Sequence, residues 1–527
     1  MALEVGEQQA VRLTARLGPE WLHPFASGCF ASDGTLLPRV WHPLPDFRLS
    51  VIEEGLDLLQ GRLPQRLGSG TFDAIAGPFS DPKAASQGWI LSFDFLRDLS
   101  PSYGDLLPIL ESWLRHWFHR RAEDASTGLS LWRGTASGAG RSDGVVWRAR
   151  RLLNWLSHLL PMMAGFSTHL QRKIGDQLLQ DFVRLVEPER RLLASLASAF
   201  EPLSRRACWT RAVGILAVEN ASPGLLRPGL SQEALAEMND LIAADGMFAD
   251  GSPVGTLSAA ADLAMLDRLD AINPINQRLR QAVATLRRSD GALVTFSKQR
   301  GYGGLAESVL GPTNLRRSAI LKTGHIGMME KGALRVWLRA PSGSADTGPI
   351  CEVEAHGVEL ITSGPEAISA LTFSGAQMIT EPQIRRRDET SQSQLEAKVS
   401  FEIDGQRHSC IRTLTLSEDG QRLSGEDALF AGSAGAKLGS PVLMFDLGLG
   451  CQATPSRDGE SFLIRTPSGH AWRFRCISHP GAFRIEDAYS GQALTQIRRL
   501  RMICAPLGNS LKKDLVLAWD LQLEELM

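Results

Sequence analysis

The chain lacks charge of either sign in excess. Its 56 Lys and Arg stand against 58 Asp and Glu, a formal charge of −2. Without a basic excess it has no electrostatic footprint for nucleic acid, and none is expected as a partner. It also lacks any stretch of about eighteen uncharged apolar residues, so no membrane-spanning helix is predicted. The opening segment from Met1 to Trp21 has acidic residues early and no apolar run of about seven or more, and does not read as a secretory signal. Cysteine is sparse: seven residues, widely spaced, with no C-x-x-C. Five of them, Cys351, Cys410, Cys451, Cys476 and Cys504, fall late enough for one or two bridges. Free, mostly buried thiols are nevertheless the expected state. Tyrosine is scarcer still, with only Tyr103, Tyr302 and Tyr489.

Chemical signatures are missing as well. There is no G-x-x-x-x-G-K-[ST], no G-x-S-x-G, no H-E-x-x-H and no tight His/Cys cluster. A phosphate-cradling loop, a nucleophile elbow and a zinc site are therefore not supported, and no metal or cofactor is expected. The glycine-rich runs 301–304 and 448–450 lack the strand, helix and acidic residue that a dinucleotide fingerprint needs, and read as loops.

What is present is ordinary globular material, 43% hydrophobic and 22% charged over 527 residues, enough for more than one domain. From about residue 45 to 310 the apolar residues recur at helical spacing. Leu106, Leu110, Trp113, Leu114, Trp117 and Phe118 share one helical face, as do Ile174, Leu178, Phe182, Leu185 and Val186. Leu235, Met238, Leu241 and Ile242 mark another helix, with Ser231 as its expected cap and Gly246 as its expected end. After about residue 325 the period falls to two. Strand-like runs cover 333–339, 394–403, 408–416, 462–466, 471–475 and 515–523. Asp404-Gly405, Asp419-Gly420, Asp458-Gly459 and Ser468-Gly469 supply hairpin turns between them. The predicted fold is multidomain α+β, helices first and an antiparallel β-sandwich afterwards. An N-terminal extension over 1–45, a helical domain over 46–320 and a sandwich over 321–527 are expected.

One helix carries polar and aromatic groups together. Arg148, Arg150, Arg151, Asn154, Trp155 and His158 lie close in sequence, and Arg151, Asn154, Trp155 and His158 follow the spacing of a single face. Guanidinium and amide donors beside a flat aromatic suit the carboxylate and ring of an acidic sugar. The same pattern also describes a core Trp, an Asn bonded to a loop and solvated arginines.

Several segments, in this order, resemble the heparinase II/III-like polysaccharide lyase family. They are Trp89 to Asp98, Trp147 to Leu156, Asp245 to Pro253, Ser289 to Phe296, Thr323 to Gly332, Gly425 to Asp427 and Ser468 to Phe474. The resemblance covers most of the chain from about residue 45, and rests on the order of individually weak motifs. It implies an incomplete (α/α) toroid followed by the sandwich, with a cleft between, and cleavage of uronic-acid polysaccharide by β-elimination. It implies a substrate-binding set of Arg148, Arg151, Asn154, Trp155 and His158, with Tyr302 as acid and His325 as base. A cell-envelope or periplasmic setting is implied too, while the N-terminus, with no visible signal, leaves a cytoplasmic position open.

The chain departs from that family at polar positions. Phe248 stands where a His usually continues the Asp-Gly loop, and Ile326 stands where an aromatic follows the Gly at the sandwich entry. Histidines expected within 345–349, 373–376 and 444–448 are missing, with His356 as a displaced replacement or an ordinary strand residue. Two readings follow: a lyase with a rearranged site, or a relative that binds acidic polysaccharide, or assists its assembly or export, without cutting it.

Overall fold

The computed structural model describes residues 42–46, 52–64, 71–79, 88–99, 103–127, 141–186, 204–223, 225–226, 228–294, 296, 303–311, 315, 317, 319–341, 347–363, 369–372, 377–403, 405–431, 441–490, 497–504 and 514–524. Two compact units divide them. One comprises the described residues up to Ile242 together with Ala259–Asn276; the other comprises Ala243–Ser258 and the residues from Gln277 onward.

The first unit is helical, as the 3.6-residue period predicts. Its longer helices are Tyr103–Thr127, Arg141–Asn154, Thr168–Val186, Arg205–Ala221 and Pro228–Asp240. Leu106, Leu110, Trp113, Leu114 and Trp117 are all buried, as are Ile174, Leu178, Phe182 and Leu185. Aromatic rings fill much of this core edge to face. Phe93 meets Trp155 at 5.2 Å and 90°, and Trp117 meets Trp155 at 5.4 Å and 72°.

One helix differs from its sequence reading. It starts at Pro228, whose fixed φ suits a first helical position, so Ser231 lies inside the helix and does not cap it. It ends at Asp240, and Gly246 instead occupies a separate turn at φ +83°.

The second unit holds two nine-stranded sheets. The first opens with β1 (Ile320–Leu321), β2 (Ile326–Lys331), β3 (Leu334–Arg339), β4 (Ile350–Ala355) and β5 (Val358–Thr362) in sequence order. It continues through Val442–Leu447 and Ile497–Cys504 to Phe483–Ser490, with Leu371–Thr372 attached to Val442–Leu447. The second sheet runs Gln452–Pro455, Ser461–Arg465, Ala471–Cys476, Leu515–Glu524, Arg422–Ala431, Gln406–Ser417, Gln392–Ile403, Gln377–Met378, with Gln383–Asp388 alongside Gln392–Ile403. The pairings are antiparallel, for example Val336 with Val353 and Cys410 with Val399. Alternate residues such as Leu395, Ala397, Val399 and Phe401 are buried, which is the period of two made physical. Val336, Leu338, Phe445, Phe474 and Trp519 belong to one core built from both sheets.

That core also encloses an ion pair. Arg412 Nε donates to Asp427 Oδ1 at 2.7 Å, and Trp519 Nε1 donates to Asp427 Oδ2 at 2.9 Å. Burial works against the charge on Arg412, but Asp427 outweighs it and holds the guanidinium pKa above its ordinary value. Cys208, Cys351, Cys410, Cys451 and Cys476 are free, as expected from their spacing. Burial pushes the Cys351 thiol up to about 11 and Cys451 up to about 12, so both are unreactive near neutral pH.

Candidate functional site

The helix predicted to clamp an acidic sugar is real, but its polar face is already committed. Arg141–Asn154 runs directly into a π-helical turn, Trp155–Leu159, and a 3-10 turn, Leu160–Gly165. Pro161 has no N–H to extend an α ladder, and Leu160 N–H bonds Trp155 O across the wider turn. Arg151 is buried; its Nε and Nη2 each donate to a different oxygen of Asp181 at 2.7 Å, and its Nη1 donates to Leu91 O at 2.9 Å. Asn154 is wholly buried and donates from Nδ2 to Ser92 O and Asp94 Oδ1, both at 2.9 Å.

The remaining two members follow suit. His158 Nε2 lies 2.9 Å from Asp46 Oδ2. Trp155 is wholly buried, with Phe93, Trp117 and Phe118 packed around its ring. A buried guanidinium needs a carboxylate, and Asp181 from the Thr168–Val186 helix supplies it. Arg148 is half-buried. Tyr302 lies outside the described residues, as do the expected histidine positions at 345–346 and 373–376.

His325 has a different environment. It closes the four-residue turn between β1 and β2, its N–H donating to Lys322 O at 3.0 Å and its carbonyl accepting from Ala340 N–H at 3.0 Å. This turn packs on the Asp245 loop of the same unit. Asp245 accepts Met247 N–H at Oδ1 (3.1 Å) and Thr323 N–H at Oδ2 (2.8 Å), joining two motifs 78 residues apart. Glycine makes the approach feasible. A Cβ on Gly251, which sits at φ +67°, would lie 2.7 Å from Thr323 O. His325 itself adopts φ +50°, a left-handed conformation that few non-glycine residues take.

The backbone of His325 is thus fully bonded, while its half-buried ring has no hydrogen bond among the described residues. Burial lowers its pKa below the ordinary 6.5, Arg339 pushes the same way, and Glu381 and Asp245 oppose them. The result is an imidazole kept neutral near neutral pH.

Sequence reasoning missed Arg339. It ends β3 opposite Ile326, and Arg335, Trp337 and Arg339 share one face of that strand by the period of two. Arg335 is neutralised by Glu330 at 2.6 Å and Glu354 at 3.4 Å. Arg339 has no such partner. Its Nε is buried without a hydrogen bond, and no described carboxylate comes within ion-pair distance. Burial pulls its pKa below the ordinary value, with the charge of Asp250 opposing. Its guanidinium carbon lies 5.9 Å from the centre of the Phe296 ring. Phe296 also sits at a left-handed φ, +49°, with its N–H on Glu352 Oε1 at 3.2 Å.

The other departures are structural. Phe248 is wholly buried and gives its N–H to Thr256 Oγ1 at 3.1 Å. His356 sits at the β4–β5 turn and stacks on His470 with ring centroids 3.6 Å apart. Among the described residues no group of three or more His, Cys, Asp or Glu is placed to hold a metal ion.

No family model matches the chain, and no curated protein does. Solved structures do match. Heparinase III superposes with a TM-score of 0.60 at 10% identity, over 92% of this chain and 88% of that one. Heparan sulfate lyase HepC from Pedobacter heparinus superposes with a TM-score of 0.51 at 11% identity, over 91% of this chain and 84% of that one. At such identities the likeness concerns the fold, and the chain has the fold of these polysaccharide lyases.

Proposed function

We propose that the protein acts on a uronic-acid-containing polysaccharide by β-elimination, with His325 as the base. The observation that carries this reading is the half-buried imidazole of His325, which has no hydrogen bond among the described residues and whose pKa burial lowers, on a turn tied to Asp245 and packed closely on Gly251. A proton next to a carboxylate is removed only by a base that is unprotonated at working pH and has a lone pair free. In the reaction His325 takes the C5 proton, the electron pair forms the C4–C5 double bond, and the C4–O bond breaks. The leaving oxygen takes a proton, a role the proposal gives to Tyr302. An incomplete (α/α) toroid for the helical unit and a cell-envelope setting belong to the same reading.

A second reading, binding without cleavage, is favoured by one set of facts. Arg151, Asn154 and His158 already hold internal partners, and Trp155 is core. Ultraviolet absorbance of the unsaturated uronate separates the two. Incubation with heparan-type and alginate-type polymers is expected to give new absorbance, which His325→Ala and Tyr302→Phe abolish. Binding without any absorbance would leave the second reading standing.

A further inference from the structure

Three oddities of the sheet-bearing unit converge on one side chain. Arg339 is half-buried, and its Nε is fully buried with no hydrogen bond among the described residues. Two of the few non-glycine residues at left-handed φ among the described residues, His325 and Phe296, are its neighbours: Arg339 pairs with Ile326, the residue after His325, the His325 carbonyl accepts from Ala340 N–H at 3.0 Å, and the Arg339 guanidinium lies over the ring of Phe296. Such conformations are strained and persist only where the surroundings fix them.

A half-buried cation with no counter-ion among the described residues is also unfavourable, and proteins ordinarily pair it. This same unit does so elsewhere. Arg288 has Glu359 at 2.5 Å, Asp290 at 3.1 Å and Glu352 at 3.9 Å, and Arg412 has Asp427. Asp250 is near enough to influence Arg339 yet stays outside ion-pair distance, and its Oδ1 already accepts Ser252 N–H at 2.7 Å.

We propose that Arg339 is an anion-binding residue whose missing counter-ion is the acidic group of the sugar ligand, held with the Phe296 ring as the floor beneath the guanidinium. The planar fork of Arg binds carboxylate or sulfate through two parallel N–H···O bonds, and an aromatic face beneath it fixes its plane. Placed beside His325, a bound carboxylate has its α-carbon proton next to the imidazole, and the guanidinium offsets the charge that grows on the carboxylate as that proton leaves. The assignment rests on the reading that the ligand is an acidic polysaccharide. It adds which residue recognises the acid, and moves that role from the committed helix face to the end of β3.

The test is calorimetric binding of the full chain to three size-matched oligosaccharides: an unsulfated polyuronate, a sulfated neutral glucan and an unmodified neutral glucan. Wild type is expected to bind at least one acidic oligomer and not the neutral one. Preference for the polyuronate assigns the site to carboxylate, and preference for the sulfated glucan assigns it to sulfate. Arg339→Gln is expected to weaken acidic binding about tenfold or more, the scale of one charged bidentate contact. Arg339→Lys should recover part of the loss, and Phe296→Leu should cost about threefold or more.

Thermal melting provides the second readout. A guanidinium awaiting a ligand is a burden on the free fold, so Arg339→Gln should melt at the same temperature as wild type or higher. A marked drop in melting temperature would show an internal partner and overturn the proposal. So would acidic binding that is absent in wild type or indifferent to Arg339→Gln. Binding that depends on Arg339 with no unsaturated product would uphold this site and contradict the β-elimination reading.

Discussion

Two arginines of this chain meet the same physical problem in different ways. Arg151 in the helical unit is buried with both oxygens of Asp181 and the Leu91 carbonyl as acceptors. Arg339 in the sheet-bearing unit has a buried Nε with no acceptor among the described residues. The histidines divide likewise. His158 is hydrogen-bonded to Asp46, whereas the ring of His325 has no such bond among the described residues. A satisfied polar group holds a fold together, and an unsatisfied one has chemistry left to offer. That difference moves the candidate site from the arginine-rich helix to the β1–β2 turn and the end of β3.

The comparison breaks first at Asp181. Asp181→Ala leaves the Arg151 guanidinium buried and unpaired, and is expected to lose about 3–5 kcal/mol in denaturant unfolding. Equal tolerance of Asp181→Ala and Arg339→Gln would erase the contrast. His325→Ala should act on chemistry alone, lowering turnover about 10²- to 10⁴-fold while unfolding free energy stays within about 0.5 kcal/mol. A large loss of stability would make His325 a structural residue like His158.

Gly251→Ala puts a methyl group 2.7 Å from Thr323 O at a positive φ. It should cost about 1–3 kcal/mol and lower turnover as well, since the same contact holds the His325 turn. Unchanged kinetics in a destabilised variant would uncouple the Asp245 loop from His325.

The smallest effect is in the pH profile. The folded pKa of His325 lies below its unfolded value, so the fold favours the neutral ring. Its contribution to stability is fully present above about pH 6.5 and is lost as pH falls through the unfolded and then the folded pKa. The acid limb of turnover should therefore lie below about pH 6.5, and Arg339→Gln, which removes one cause of the depression, should move it upward. A limb above that value would contradict the neutral-base assignment.

Much of the fold was legible because burial leaves a period in the sequence. The stripe from Leu106 to Trp117 and the alternation from Leu395 to Phe401 both survive as buried faces. The His325 turn was legible as well, since Thr323-Gly324-His325 and Asp245 to Gly251 stood out as motifs, although nothing in sequence spacing said that they touch.

Other features were not legible because they depend on partners distant in sequence. Arg151 looks like a sugar clamp until Asp181 is brought beside it, and the π turn at Trp155 disturbs the face that the helical spacing assumed. Arg339 looks like any strand arginine, since a missing counter-ion leaves no mark in the sequence. A retrospective signal existed in Asp181, an acid flanked by the buried Leu178, Phe182 and Leu185 of its helix.

The most direct test is an NMR titration of the His325 imidazole in wild type and in Arg339→Gln. The account predicts a wild-type midpoint below about 6.5 that rises when the guanidinium is removed. A midpoint at or above that value, unmoved by Arg339→Gln, would mean that these two residues do not form the site described.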